Sequence, residues 1–222
     1  MSDMVERRAA SAASATGRGA DPALPARCAA RLLIVGVGGQ GVISLARLVG
    51  QAALEEGLDV RVGQLHGMSQ RGGSVEATVA LGAGETAFVS RGQADVLLAL
   101  EPLEAARAAP RLAPGCLVWI ERTPIAVPGV RALPGPDELL APVTAVTERV
   151  YRMDAGAAAR DAGAPRSANV VMLGAVAASG ALPIGPDALR RVVAQARPAA
   201  LAGFDRGLRI AEAELGGAGG AP

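Results

Sequence analysis

The chain has 222 residues, with 22 basic and 21 acidic side chains and a formal net charge of +1, which argues against a nucleic-acid binder held by phosphate contacts. Half of its residues are hydrophobic, yet only two Phe, one Trp and one Tyr are present, so the core must be built from Val, Leu, Ile and Ala, as in a parallel sheet wrapped in helices. No apolar run reaches the roughly 18 residues needed to span a bilayer, and a soluble, cytoplasmic protein without a membrane partner is expected.

Residues 1–30 are rich in Ala, Ser, Arg and Gly. They lack hydrophobic periodicity and an apolar h-region, so a flexible extension is expected and a secretory signal is not. Arg31–Gly36 is a short apolar run ending in glycine, as a buried strand would be. Val42, Leu45, Ala46, Val49, Ala52 and Ala53 then recur at helical spacing, with Arg47, Gln51 and Glu55 opposite and Gly57 closing the helix. Leu58–Leu65 reads as a second strand. Ser74–Leu81 and Thr86–Ser90 flank a Gly-Ala-Gly-Glu turn, which suggests a hairpin.

Asp95–Leu100 and Cys116–Glu121 read as further buried strands, with a helical segment, Pro102–Leu112, between them, and Glu148–Met153 as another strand. Val170–Ala181 is apolar or small on all sides and should be a buried helix, with Asn169 as its cap. Pro186 and Asp187 open a helix carrying Leu189, Val192, Val193 and Ala196, and Phe204, Leu208, Ala211 and Leu215 mark a last one. This alternation predicts a single α/β domain over residues 31–215: a doubly wound, mostly parallel, Rossmann-like sheet with a helical C-terminal part. Residues 216–222 read as a flexible tail.

Gly36-Val-Gly38-Gly39-Gln40-Gly41 matches G-x-G-x-x-G directly after a strand and at the start of a helix. Such glycines permit a tight turn and let a phosphate approach the N–H groups of the helix terminus. A dinucleotide site also wants an acid at the end of the second strand, and Val62-Gly63-Gln64-Leu65 offers none. The turn therefore reads as packing of helix on sheet, as anion or interface binding, or, against that missing acid, as NAD binding.

His66-Gly67-Met68-Ser69-Gln70-Arg71-Gly72-Gly73-Ser74 follows a strand and should lie at the carboxyl edge beside the glycine turn. Its glycines, amide, hydroxyls and Arg71 form an array of donors suited to phosphate or carboxylate oxygens. Within that array Arg71 can equally bridge carbonyls of its own loop, Met68 can simply pack, and His66 can be a hydrogen-bonded loop residue. Ser69 near His66 lacks an orienting acid, which argues against a serine hydrolase.

Every basic side chain is Arg, which rules out a Schiff-base lysine and a Walker-type phosphate-binding lysine. Cys28 and Cys116 are far apart and belong to no CxxC pattern, so the chain alone cannot carry an iron–sulfur cluster. One histidine leaves no zinc site of ordinary type. No catalytic residue is assigned, and no cofactor is expected to be bound by this chain alone.

GVGGQGV at 36–42 followed by QLHGMSQRGGSV at 64–75 resembles the beta subunit of indolepyruvate ferredoxin oxidoreductase. More broadly, the pair is similar to the gamma subunit or domain of 2-oxoacid:ferredoxin oxidoreductases. Asn169-Val-Val-Met-Leu-Gly174 and Phe204-Asp-Arg-Gly207 look like the family's later helices. The resemblance spans about residues 31–215, leaving the leader as an extra segment.

What the resemblance implies is an accessory subunit. Thiamine diphosphate, Mg2+ and [4Fe–4S] clusters would belong to a large alpha subunit, a 2-oxoacid and coenzyme A would be the substrates, and ferredoxin would accept electrons. Gly36, Gly38, Gly39, Gln40 and Gly41 would form a backbone cradle, with Met68, Ser69, Gln70, Arg71, Gly72 and Gly73 approaching the active site and coenzyme A as a shared ligand. A stand-alone NAD(P)-binding oxidoreductase and a purely structural scaffold are the other classes that the residues leave open.

Overall fold

The computed structural model describes residues 30–66, 73–82, 86–125 and 134–218. The expected extension thus lies outside the described residues, except for Ala30, which begins the first strand. Six strands build one sheet: β1 Ala30–Val37, β2 Val60–His66, β3 Ser74–Leu81, β4 Ala94–Ala99, β5 Leu112–Glu121 and β6 Val150–Met153. Their spatial order is β2-β3-β1-β4-β5-β6. β1, β4, β5 and β6 pair parallel, whereas β3 is antiparallel to both β1 and β2. Five strands therefore point one way, and the sheet is mostly parallel, as the alternation of elements predicts.

The helices are α1 Val42–Glu55, α2 Pro102–Ala108, α3 Pro136–Thr144, α4 Ala155–Asp161, α5 Ala168–Ala178, α6 Pro186–Ala196 and α7 Leu201–Ala218. They cover both faces. Leu32, Ile34, Val96, Leu98, Leu117 and Trp119 point toward α1 and α4–α7, while Leu33, Val35, Leu97, Ala99, Val118 and Ile120 point toward α2 and α3. The central strands are apolar without interruption because each side chain, whichever way it alternates, meets a helix.

Three readings change. Thr86–Ser90 is not a strand; the hairpin joins β2 to β3 instead, through residues 67–72. Phe88 N–H donates to Thr86 Oγ1, the side-chain-to-backbone turn that competes with a ladder. Second, the cap of α5 is Ser167, and Asn169 lies inside the first turn. Third, α3 and α4 escape the pattern: α3 is bounded and interrupted by proline, and α4 is a short alanine-rich turn capped by Asp154, whose Oδ1 accepts from Ala157 N–H at 2.6 Å. The last helix runs on through Gly216 and Gly217 to Ala218.

Glycine sets the spacing of the C-terminal helices. A Cβ on Gly174 would stand 2.1 Å from the Phe204 carbonyl oxygen, and one on Gly207 would stand 1.8 Å from that of Val171. α5 and α7 thus touch backbone to backbone, and Asn169 through Ala177 are all buried. Ordinarily a helical Gly→Ala change stabilises by about 1 kcal/mol. Here Gly207→Ala should instead lower stability by about 2 kcal/mol or more, through overpacking against backbone that cannot yield. Urea unfolding followed by circular dichroism checks this; an unchanged or raised midpoint contradicts the close packing.

Candidate functional site

The carboxyl ends of β1, β4, β5 and β6 share one edge of the sheet, and the antiparallel β3 brings its amino end there too. β1 feeds the glycine turn. Gly39 (φ 102°) and Gly41 (φ 86°) adopt left-handed backbone, where side chains are strained. Gly36 is needed for a different reason: a Cβ there would lie 2.6 Å from Gln40 Oε1.

That Gln40 oxygen accepts from Val37 N–H at 2.7 Å, and Gln40 Nε2 donates to the Leu100 carbonyl at 2.7 Å. The amide therefore ties the end of β1 to the end of β4. Gly38 N–H donates to the Gly73 carbonyl at 2.9 Å. Two of the donors counted toward a cradle, Gln40 and Gly38, are thus engaged within the fold.

The terminus of α1 is different. Gly41 is its N-cap, no side chain caps it, and no acidic residue lies in its first turn. Its partial positive charge is left for something else to meet. A cleft of about 320 Å³ opens in front of it, lined by Val37, Gly38, Gly39 and Gly41 with Ile43 and Ser44.

The second motif reaches the same place. His66 pairs with Val75 and Val37 with Ser74, so both ends of the 67–72 segment sit beside the glycine turn. Met68, Ser69, Gln70, Arg71 and Gly72 lie outside the described residues; Gly73 is half-buried. The exit is fastened by acids the sequence reading did not single out. Ser74 Oγ donates to Glu104 Oε2 at 2.6 Å, Arg107 donates to Glu104 Oε1 at 2.6 Å, and Glu104 N–H donates to Glu101 Oε2 at 2.9 Å. Both acids are buried, but each is hydrogen-bonded, as a charge out of water must be. An acid just ahead of Pro102, with a second acid three residues on, is the signal that could have marked this capped turn.

Glu121, at the end of β5, was also missed. Its oxygens accept from Thr123 N–H and Ala155 N–H, each at 3.0 Å. Burial pushes its carboxyl above the ordinary carboxylate range, and those two bonds pull the other way. Among the described residues no group of three or more His, Cys, Asp or Glu could hold a metal. Cys116 is buried, and burial together with the charge of Asp95 pushes its thiol up to about 12, unlike a cluster ligand, which must ionise.

A dinucleotide site of ordinary type needs an acid at the end of a second strand adjoining the first. Here β3 separates β2 from β1, so topology and sequence agree against that use of the turn. Fold and turn together define a class: a doubly wound α/β domain offering an uncapped helix terminus at the switch between β1 and β4.

Residues 31–213 match the family described as pyruvate ferredoxin/flavodoxin oxidoreductase, and the chain belongs to it. It is 36% identical over 196 residues to the indolepyruvate oxidoreductase subunit IorB of Thermococcus kodakarensis, covering 83% of this chain and 97% of that protein. It is 38% identical over 158 residues to the subunit of the same name from Archaeoglobus fulgidus, covering 69% and 79%. In fold it resembles the keto/oxoacid ferredoxin oxidoreductase gamma subunit of Geobacter sulfurreducens, with TM-score 0.61, 23% identity, and coverage of 83% of this chain and 99% of that one. It also resembles part of the 2-oxoglutarate:ferredoxin oxidoreductase of Magnetococcus marinus, with TM-score 0.62, 20% identity, and coverage of 83% and 31%.

Two measurements test the geometry. Gln40→Ala strands the Val37 N–H and the Leu100 carbonyl and should cost roughly 1–3 kcal/mol, read as a lower urea midpoint; no change would mean that water replaces the amide. For Glu121, a raised folded-state pKa means that the native state holds the proton more tightly. Its contribution to stability is therefore full at low pH and is lost as pH rises from the unfolded value, near 4.5, through the folded one. Glu121→Gln should flatten stability in that window, measured as the unfolding midpoint against pH; an unaltered slope would assign it to other groups.

Proposed function

We propose that this chain is the small, accessory subunit of a thiamine-dependent 2-oxoacid:ferredoxin oxidoreductase acting on indolepyruvate or a related aryl 2-oxoacid. The observation that carries this reading is the 36% identity that spans 97% of the Thermococcus kodakarensis subunit. The reaction is oxidative decarboxylation: the 2-oxoacid loses carbon dioxide, coenzyme A takes the acyl group, and ferredoxin takes the electrons. Thiamine diphosphate with Mg2+ supplies the carbanion stabilisation that decarboxylation needs, and iron–sulfur clusters carry the electrons. This reading assigns all of these to a larger partner subunit, since the two cysteines of this chain are too few for the four that a cluster takes.

What this chain supplies is placement. The first-turn N–H groups of α1, with Gly39 and Gly41, face the 320 Å³ cleft and hold an anionic group of coenzyme A or substrate. Gly36 and Gln40 shape the turn rather than touch the ligand. The ends of β2 and β3 flank the same cleft, and the reading assigns Arg71, in the segment that joins them, to the anionic group as its charged partner.

The first test is a tagged chain expressed from its own operon, with iron and thiamine analysis of what co-purifies. A large subunit containing both is expected; a chain that elutes alone and binds NAD(P) overturns the assignment. In the purified complex, Arg71→Ala should raise the KM for coenzyme A or 2-oxoacid by about tenfold, the scale of one charge-assisted contact, with assembly intact. Lost assembly with normal kinetics in the residual complex would make Arg71 structural.

A further inference from the structure

Strand β2 ends the sheet, with β3 on one side and no strand on the other among the described residues. An open edge invites pairing with another chain, and proteins blunt such edges with proline, bulges or several charges. The seven residues of β2 contain no proline, Arg61 is their one charge, and they pair with β3 in unbroken register. Gly82 N–H donates to the Asp59 carbonyl at 2.8 Å, continuing that register. Bonded and unbonded pairs alternate along an antiparallel ladder. Arg61, Gly63 and Leu65 therefore bond to β3, and the N–H and carbonyl groups of Val60, Val62 and Gln64 point away from the sheet.

The surface around this edge is apolar. Leu54, Val62, Leu65 and Phe88 are exposed, and of the large apolar side chains exposed among the described residues only Ile125 stands outside that group. Val62 Cγ2 is 3.1 Å from where a Cβ on Gly50 would be, one turn before Leu54. Ala87, next to Phe88, has its Cβ 3.2 Å from where one on Gly63 would be. Leu54 and Val62 thus rim the α1 face of the edge, and Leu65 and Phe88 rim the other.

We propose that β2 pairs antiparallel with β2 of a second copy of this chain, about a twofold axis at Gly63. Overlap of all seven residues puts the axis at the middle one. Val62 then faces Gln64 of the second copy, and both have outward N–H and carbonyl groups to exchange. Gly63 meets its own copy in an unbonded pair, where strands come closest, and has no side chain to obstruct them. Arg61 faces Leu65 of the second copy rather than another Arg61, so like charges are kept apart.

Charge also favours this pairing. Within one chain Arg61 shares its cross-strand row with Arg31, across Ala80, and makes no ion pair among the described residues. In the pair, the row runs from Arg61 across Leu65 to Glu76 of the second copy. Two strand spacings make this about 10 Å between Cα atoms, a span the two side chains close together. Glu76 binds Arg111 through Oε2, and its Oε1 has no partner among the described residues. The contact is isologous, the same patch on both copies. None of its residues lines the anion cleft, and it does not rest on the reading of that cleft.

Sedimentation of the full-length chain is the first test, with a dimer expected at micromolar concentration. Val62→Pro removes an outward N–H and no bond to β3, and should weaken the dimer about tenfold or more. Cysteines keep the test open should that variant not fold. Chains bearing Arg61→Cys and Leu65→Cys, mixed and oxidised, should join by a disulfide. Those positions face each other at about 4.5 Å between Cα atoms, within the range a disulfide spans. Either variant alone should link no more than the unaltered chain. A monomer throughout, a dimer indifferent to a folded Val62→Pro, or links between like positions overturns the pairing. In chain purified with a larger subunit, a link from either cysteine to that subunit instead of to the second copy assigns the edge to the subunit and likewise overturns it.

Discussion

Strand β3 runs against its neighbours and shares a ladder with each of them, and the geometry of the candidate site follows from that one insertion. Its eight residues pair with β1 from Ala30↔Leu81 to Val37↔Ser74. Because side chains alternate with period two, a slip of one residue would turn Val75, Ala77, Val79 and Leu81 out of the core they share with α1. Burial therefore fixes the register. The register then fixes where the 67–72 segment leaves the sheet, and the Gly38 to Gly73 bond continues the ladder into the turn itself. The same insertion pushes β2 to the edge and removes the neighbour that a dinucleotide ribose would need.

How much of this was legible in the sequence depended on the length and contrast of each segment. β1, α1, β4 and α5 stood out because an uninterrupted apolar run or a helical repeat was present. The antiparallel insertion was not legible: Ser74–Leu81 was recognised as a strand, but nothing in its composition says which neighbour it pairs with. Proline-bounded α3 and the short α4 lacked enough turns to show a period.

The site divided along similar lines. The glycines were found because G-x-G-x-x-G carries backbone conformation in its spelling, and left-handed Gly39 and Gly41 express it. Gln40 looked like a ligand donor, yet its amide is committed to Val37 and Leu100, a partnership 60 residues distant that no local pattern records. Asn169 was read as a cap because Asn favours that position; the helix begins at Ala168, two residues earlier than the apolar pattern does, and the Asn169 amide lies against Gly41.

With few aromatic residues, the core reaches its density through close backbone approach instead of large rings, as the α5–α7 contact shows. One aromatic contact remains at its centre. Trp119, the sole tryptophan, is fully buried on β5 and stacks on Tyr151 of β6 at 4.9 Å between ring centroids. Its indole lies on the α5 side of the sheet, away from the α2 face. The protein thus carries a single built-in fluorophore, and its emission reports the integrity of the sheet core rather than the arrival of ligand at the carboxyl edge.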